Sequence, residues 1–183
     1  MHTIDTTCCS NGGPSLRLNG AGRARIAYPD GSPSTPTGLR YAKQNASGTW
    51  SVQTVDFHAS ESPALALFSS DFPVIAYVRR GVGTFESSPT PSGWQHTQDG
   101  HGYLDPPDVT VWGSGPFGSS RAVVMGNDQK ITVVVASGDE ITTYDLVSVA
   151  LNPEVEQHNG KLRVIFNRST GGTGDGIYHT KEN

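Results

Sequence analysis

Apolar and polar residues alternate along this chain in short runs, and no helical period longer than a turn or two, heptad repeat or membrane-length apolar stretch interrupts them. "PSLRL" from Pro14, "PALAL" from Pro63, "PDVTV" from Pro107 and "PEVEQ" from Pro153 each begin such a run after a proline. Successive side chains of a strand point to opposite faces, so a period of two predicts half-buried strands. A second apolar run follows each of these: "RIAYP" with Ile26 and Tyr28, "VIAYV" with Ile75 and Tyr77, "AVVM" ending at Met125 and "RVIF" ending at Phe166. A third run is "LRYAK", "GTFES", "ITVVVA" and "IYHTK". The fourth ends in Thr-x-Asp, at Thr54 to Asp56, Thr97 to Asp99 and Thr143 to Asp145. Gly, Pro, Asn and Asp separate the runs, as they do between strands.

The leading prolines are spaced 49, 44 and 46 residues apart. Four short strands in about 45 residues is the size of a β-propeller blade. The chain is therefore expected to be all-β, a single β-propeller domain of four four-stranded blades over residues 14–56, 63–99, 107–145 and 153–183. The last unit stops after its third run, "GIYHTKEN", while the chain opens on a fourth Thr-x-Asp, Thr3 to Asp5, in "MHTID". Residues 2–6 are thus expected to complete the last blade, adding ladder hydrogen bonds across the seam and covering a free edge. A closed monomer is the expectation; two chains building one eight-bladed ring is the alternative.

Composition narrows the function. Gly and Pro together make 34 of 183 residues, which the turns of such a fold account for. The net charge of −4, with no run of Lys or Arg, gives no electrostatic footprint for nucleic acid, and no membrane insertion is expected. The opening "MHTIDTTCC" has neither the basic start nor the apolar centre of a signal peptide. The two cysteines, Cys8 and Cys9, are adjacent; a vicinal disulfide, two thiols and metal ligation are all open to them.

In a propeller, the linker between blades shares a face with the loop between second and third strands, and loops on a rigid scaffold carry function. On that face the repeats group His58 and His101, each two residues after the aspartate, with Cys8 and Cys9. These four are candidate ligands for zinc or copper, the alternative being solvated loop histidines and a structural cysteine pair. The second-to-third loops add Asp30, Arg79, Arg80, Asn127, Asp128, Arg168 and Asp175, and Phe57, Tyr103 and Trp112 lie in or near linkers. A rim of short polar groups with flat aromatic rings suits a sugar, so His58, His101, Arg79, Arg80, Asp128, Arg168, Trp112 and Tyr103 are the candidate ligand-binding residues. The repeated Thr-x-Asp reads as structural, its side chains bonding nearby backbone N–H groups. Trp50 and Trp94, which open fourth strands, read as packing between blades.

The stretch "PSLRLNGAGRARIAYPD…GLRYAKQNASGTWSVQTVD", with "PALALFSSDFPVIAYVRR" after it, resembles the repeat of bacterial, mostly exported β-propeller proteins loosely related to sialidase-like propellers. The resemblance implies a fold more than a function, and an extracellular or periplasmic location. Sialidases use an arginine cluster, a tyrosine nucleophile supported by a glutamate, and Asp-box turns of the form S-x-D-x-G-x-T-W. Here the corresponding turn is "NASGTW", without the aspartate, and no tyrosine and glutamate pair stands out beside Arg79, Arg80 and Arg168. Three readings follow: a non-catalytic module binding a carbohydrate or an extracellular protein, which is favoured; a glycosidase or lyase using the same face; and a structural scaffold.

Overall fold

The computed structural model describes residues 4–6, 13–32, 35–58, 60–101, 106–113, 120–126, 130–137, 140–148, 151–159, 161–168 and 176–181. They contain fifteen strands in four antiparallel sheets and no helix. The first sheet holds β1 (Ser15–Leu18), β2 (Ala24–Ser32), β3 (Thr35–Gln44) and β4 (Trp50–Asp56). The second holds β5 (Ser60–Leu67), β6 (Pro73–Arg79), β7 (Gly83–Thr90) and β8 (Gly93–His101). The third holds β9 (Asp108–Trp112), β10 (Ser120–Gly126), β11 (Lys130–Ser137) and β12 (Glu140–Ser148). The fourth holds β13 (Leu151–His158), β14 (Lys161–Arg168) and β15 (Gly176–Lys181). Each is a meander in chain order, so the four repeats are four sheets. Of the expected sixteenth strand, residues 2–6, the described residues 4–6 carry no strand, and residues 2 and 3 lie outside the described residues.

The core follows from the period of two. Ala27, Leu39, Tyr41 and Val55 of the first sheet meet Leu65, Ile75, Tyr77 and Phe85 of the second. Ala64, Ala66, Val74 and Ala76, on the other face of the second sheet, meet Val109, Val123, Met125 and Val134 of the third. Ala122, Val124, Ile131 and Val133 then meet Val155, Val164 and Phe166 of the fourth. Small residues on one face against large ones on the next let the sheets pack closely. Each fully buried Val, Leu, Ile or Phe contributes about 1.5–3 kcal/mol. Trp94 packs edge-on against Tyr41 of the neighbouring sheet, with ring centroids 5.5 Å apart, as expected of it.

The register aligns the repeats. Leu16 pairs with Ile26, Leu65 with Ile75, Val109 with Val123 and Val155 with Val164. Two residues further along the second strand, Tyr28, Tyr77, Met125 and Phe166 therefore occupy one position in the four sheets. The outer strands each carry a β-bulge, which leaves one extra residue without a partner: Val55, Asp99 and Leu146. That residue stands before, at and after the aspartate of Thr-x-Asp, so the tripeptide slides by one residue from sheet to sheet.

Candidate functional site

Asp56 is the centre of a network at the end of the sheets where β4 and β6 finish. Its carboxylate is buried. Oδ1 accepts the backbone N–H of His58 at 3.0 Å and lies 2.8 Å from the His58 ring Nδ1. Oδ2 accepts the hydroxyl of Tyr77 at 2.8 Å and the guanidinium of Arg79 through Nε and a terminal nitrogen, at 3.1 and 2.7 Å. Burial alone would raise the pKa of Asp56, but the His58 backbone and ring, Arg79 and Tyr77 outweigh it and hold the carboxyl well below the usual range. An ionised Asp56 only accepts, so the His58 Nδ1 carries a proton toward it, and Nε2 is the polar atom left at the other edge of the exposed ring. Arg79 stacks over Phe85, 4.0 Å from the ring centroid, which fixes the guanidinium plane.

The network continues across the second sheet through β7 and β8. Ser87 donates to the Tyr77 hydroxyl at 3.2 Å and stands 2.6 Å from Nδ1 of His96. Tyr77 is wholly buried, and burial, with Asp56 adding to it, raises its pKa. Burial, with Arg79 and His58 adding to it, lowers that of His96. Phe57, between Asp56 and His58, is 83% exposed. The site thus presents an imidazole edge and a guanidinium held by one carboxylate, with the exposed Phe57 ring on the residue between Asp56 and His58. Gly38 supports it from the first sheet: a methyl group there would run into the carbonyl oxygen of Asp56. Gly38→Ala is expected to cost roughly 1–3 kcal/mol, as overpacking does, and to displace Asp56 and Phe57. Urea melts give the first; loss of the Phe57 and His58 amide shifts in a two-dimensional NMR spectrum gives the second.

The same construction recurs, and then lapses. Asp5 accepts the hydroxyl of Tyr28 at 2.8 Å and Arg40 at 3.1 Å, with Asp30 holding the other side of Arg40 at 2.8 Å. So in two places the aspartate of Thr-x-Asp meets the tyrosine of the sheet that follows it. At the third, Met125 stands in the tyrosine position and cannot donate. Asp99 Oδ2 and the neighbouring Thr84 Oγ1 are both buried without a hydrogen-bond partner among the described residues. Burial, with Glu86 adding to it against Arg121, pushes Asp99 up to about 7. Burial likewise raises the pKa of Glu86, opposed by its ion pair with Arg121 of the third sheet.

At the opposite end of the second and third sheets lies a pocket of about 580 Å³. Phe68, Phe72, Pro89 and Pro91 line it, with the Glu86–Arg121 pair. A pocket of that size suits a small ligand.

The expected ligand-binding residues are divided by the fold. His58 and Arg79 meet on Asp56, and Arg80 follows on the same end, loosely paired with Glu61 at 3.3 Å. His101 does not occupy the position of His58: the shifted bulge keeps it in β8, opposite Gly83, whereas His58 turns out of its sheet. Its side chain lies outside the described residues. Arg168 ends β14, opposite Gly176, with its side chain also undescribed. Trp112, expected near a linker on this rim, ends β9 at the far end of the sheets and packs between the third and fourth; β9 carries it away from the rim. Cys8, Cys9, Tyr103 and Asp128 lie outside the described residues, as do Asn127 and Asp175. Among the described residues no three His, Cys, Asp or Glu side chains gather as metal ligands, and no helix is long and apolar enough to cross a membrane. Asp56, Tyr77, Ser87 and His96 did not stand out in the sequence as site residues. The signal for the first two was the recurrence of Thr-x-Asp one repeat ahead of "IAY".

No protein-family model and no curated protein sequence matches the chain. Solved structures do. The intramolecular trans-sialidase of leech superposes with a TM-score of 0.57 at 10% identity, over 91% of this chain and 30% of that one. A lectin of Aleuria aurantia, in complex with Fucα1-6GlcNAc, gives 0.61 at 14%, over 91% and 62%. A protein of unknown function from Dyadobacter fermentans gives 0.62 at 12%, over 91% and 51%. At such identities the likeness is one of fold, all-β and propeller-like. The chain spans less than two thirds of the length of each of them.

Proposed function

We propose that this protein is a carbohydrate-binding module that holds a sugar at the end of its sheets where Phe57, His58, Arg79 and Arg80 gather. The observation that carries the reading is the exposed Phe57 ring beside His58 and Arg79, both fixed by the buried Asp56. A pyranose offers an apolar face of C–H groups and an edge of hydroxyls; Phe57 takes the first, and the His58 Nε2 and the Arg79 and Arg80 donors take the second. Pre-organised groups lose little entropy on binding. A likeness in fold to a lectin bound to a fucoside and to a trans-sialidase is compatible with sugar recognition and leaves catalysis to be argued from the site.

The site argues for binding without hydrolysis. A tyrosine nucleophile has to reach the sugar and ionise readily, but Tyr77 is buried, donates to Asp56 and has its pKa raised. Asp99 and Glu86 hold protons at higher pH than ordinary carboxyls, yet both sit in the interface between sheets. The 580 Å³ pocket favours a second location for a ligand of the same chemistry, with Phe68, Phe72 and the prolines as its apolar wall.

A glycan array probed with the folded protein tests the reading. Binding to at least one glycan is expected, with Phe57→Ala weakening it by about tenfold or more, the cost of one well-stacked aromatic contact. Because Phe57 is exposed, the melting temperature should hardly change. No binding to any glycan, or binding indifferent to Phe57→Ala, overturns the assignment to this site.

A further inference from the structure

The three interfaces between sheets share one construction, and the outward faces of the first and fourth sheets are its two unused halves. Leu65, Val109 and Val155 occupy one position on the inner strands, and each is buried against the preceding sheet. Leu16 has that position in the first sheet and is 51% exposed, with Leu18 beyond it 61% exposed. On the complementary faces, Ala27, Ala76 and Val124 occupy one position of the second strands and are fully buried against the following sheet. Ile165 has that position in the fourth sheet and is 43% exposed. The first sheet therefore lacks a sheet before it, and the fourth a sheet after it. Among the described residues packing runs from the first sheet to the second, third and fourth, and the fourth makes no packing of that extent on the first.

Two details identify what belongs on the first sheet. One is the residue before the inner-strand apolar position. Ser15 accepts the backbone N–H of Leu65 through Oγ at 3.0 Å, and Asp108 accepts that of Val155 through Oδ2 at 2.9 Å. Ala64 has no side chain for this; Glu154 of the fourth sheet does, and the N–H awaiting it by the repeat is that of Leu16. The other detail is Asp5. It accepts the hydroxyl of Tyr28 as Asp56 accepts that of Tyr77, and each aspartate also takes an arginine, though from a different strand. Residues 4–6 thus lie where the outer strand of a preceding sheet would end, and among the described residues the fourth sheet, β13 to β15, is the one with three strands.

We infer that two copies of this chain assemble head to tail, the fourth sheet of each covering Leu16 and Leu18 of the other, with residues 4–6 of that other copy at the sheet's outer edge. Two such contacts close a ring of eight sheets. Interfaces of this kind join different surfaces of the two copies, and a rotation that closes gives a ring where one that does not gives an open filament. The covered faces remove two exposed apolar patches and an open strand edge.

Sedimentation of the full chain at micromolar concentration tests it. The expected species has twice the mass of the 19.4 kDa chain. Leu16→Glu with Leu18→Glu, and separately Ile165→Glu, alter exposed positions and should leave the far-ultraviolet circular dichroism of the fold unchanged. Each should raise the dissociation constant by more than about tenfold, since both contacts are damaged in either variant. Mixing the two variants should restore dimers, because one of the two contacts in the mixed ring is then wild type. A wild-type chain that sediments as a monomer overturns the inference, as does a dimer indifferent to both variants or one that mixing fails to restore. A species larger than two copies overturns the closed ring.

Discussion

Replacing Asp99 by asparagine should stabilise this protein above neutral pH by roughly 1–3 kcal/mol, the range for a buried polar atom such as its Oδ2 that has no partner among the described residues. The carboxyl lies in the interface between the second and third sheets, with Glu86 near it and Arg121 already paired to Glu86. Its folded pKa is pushed up to about 7, while an unfolded chain releases the proton at about 4. Between those values the folded state binds the proton that the unfolded state has lost. Stability therefore falls as pH rises from about 4 to about 7, and levels off above. Asparagine keeps the shape and removes the charge, so the variant should match the wild type near pH 4 and gain on it through this window. Thermal melts at a series of pH values check this; a difference between the two proteins that does not depend on pH contradicts it.

Asp56→Ala should have the opposite effect at every pH where folding is measured, a loss of roughly 3–5 kcal/mol, as when one partner of a buried charged pair is removed. It strips the acceptor from Arg79, Tyr77 and the His58 N–H at once. Because Asp56 remains ionised well below the usual carboxylate range, mild acid should not reproduce the loss. Asp56→Asn should recover part of it, since an amide oxygen can still accept from Tyr77 or from the His58 backbone but holds Arg79 without charge. Chemical denaturation of the three proteins ranks them; an Asp56→Ala variant as stable as the wild type would show that the network carries no weight.

These two aspartates also mark how far the sequence could be read. The strands and their grouping into four sheets were legible because inward and outward side chains alternate and the alternation recurs at an almost fixed spacing. "IAY" at Tyr28 and at Tyr77 aligned correctly, and Met125 and Phe166 followed from the same spacing. The contacts between sheets were not legible, since equivalence within a repeat does not say which position of one sheet meets which of the next. Thr-x-Asp was read as a local turn, and at Asp56 it does accept the His58 backbone, but the same carboxylate also ties one sheet to the next. Nor could spacing reveal the bulge. One unpaired residue, placed at Val55 in one outer strand and at Asp99 in another, is enough to turn His58 toward Asp56 while His101 stays in its strand. Trp112 failed as a rim residue for a related reason: proximity to a linker in sequence does not fix the end of a strand at which a side chain lies.

Titrating free monosaccharides at millimolar concentration into isotope-labelled protein, followed by two-dimensional amide NMR, tests most directly whether a sugar is held beside the Asp56 network. The predicted result is a saturable shift of the amides of Phe57, His58, Arg79 and Arg80, abolished by Phe57→Ala. Saturable shifts confined to Ser88, Thr90, Gln95 and Arg121 around the 580 Å³ pocket, or none with any sugar, would contradict it.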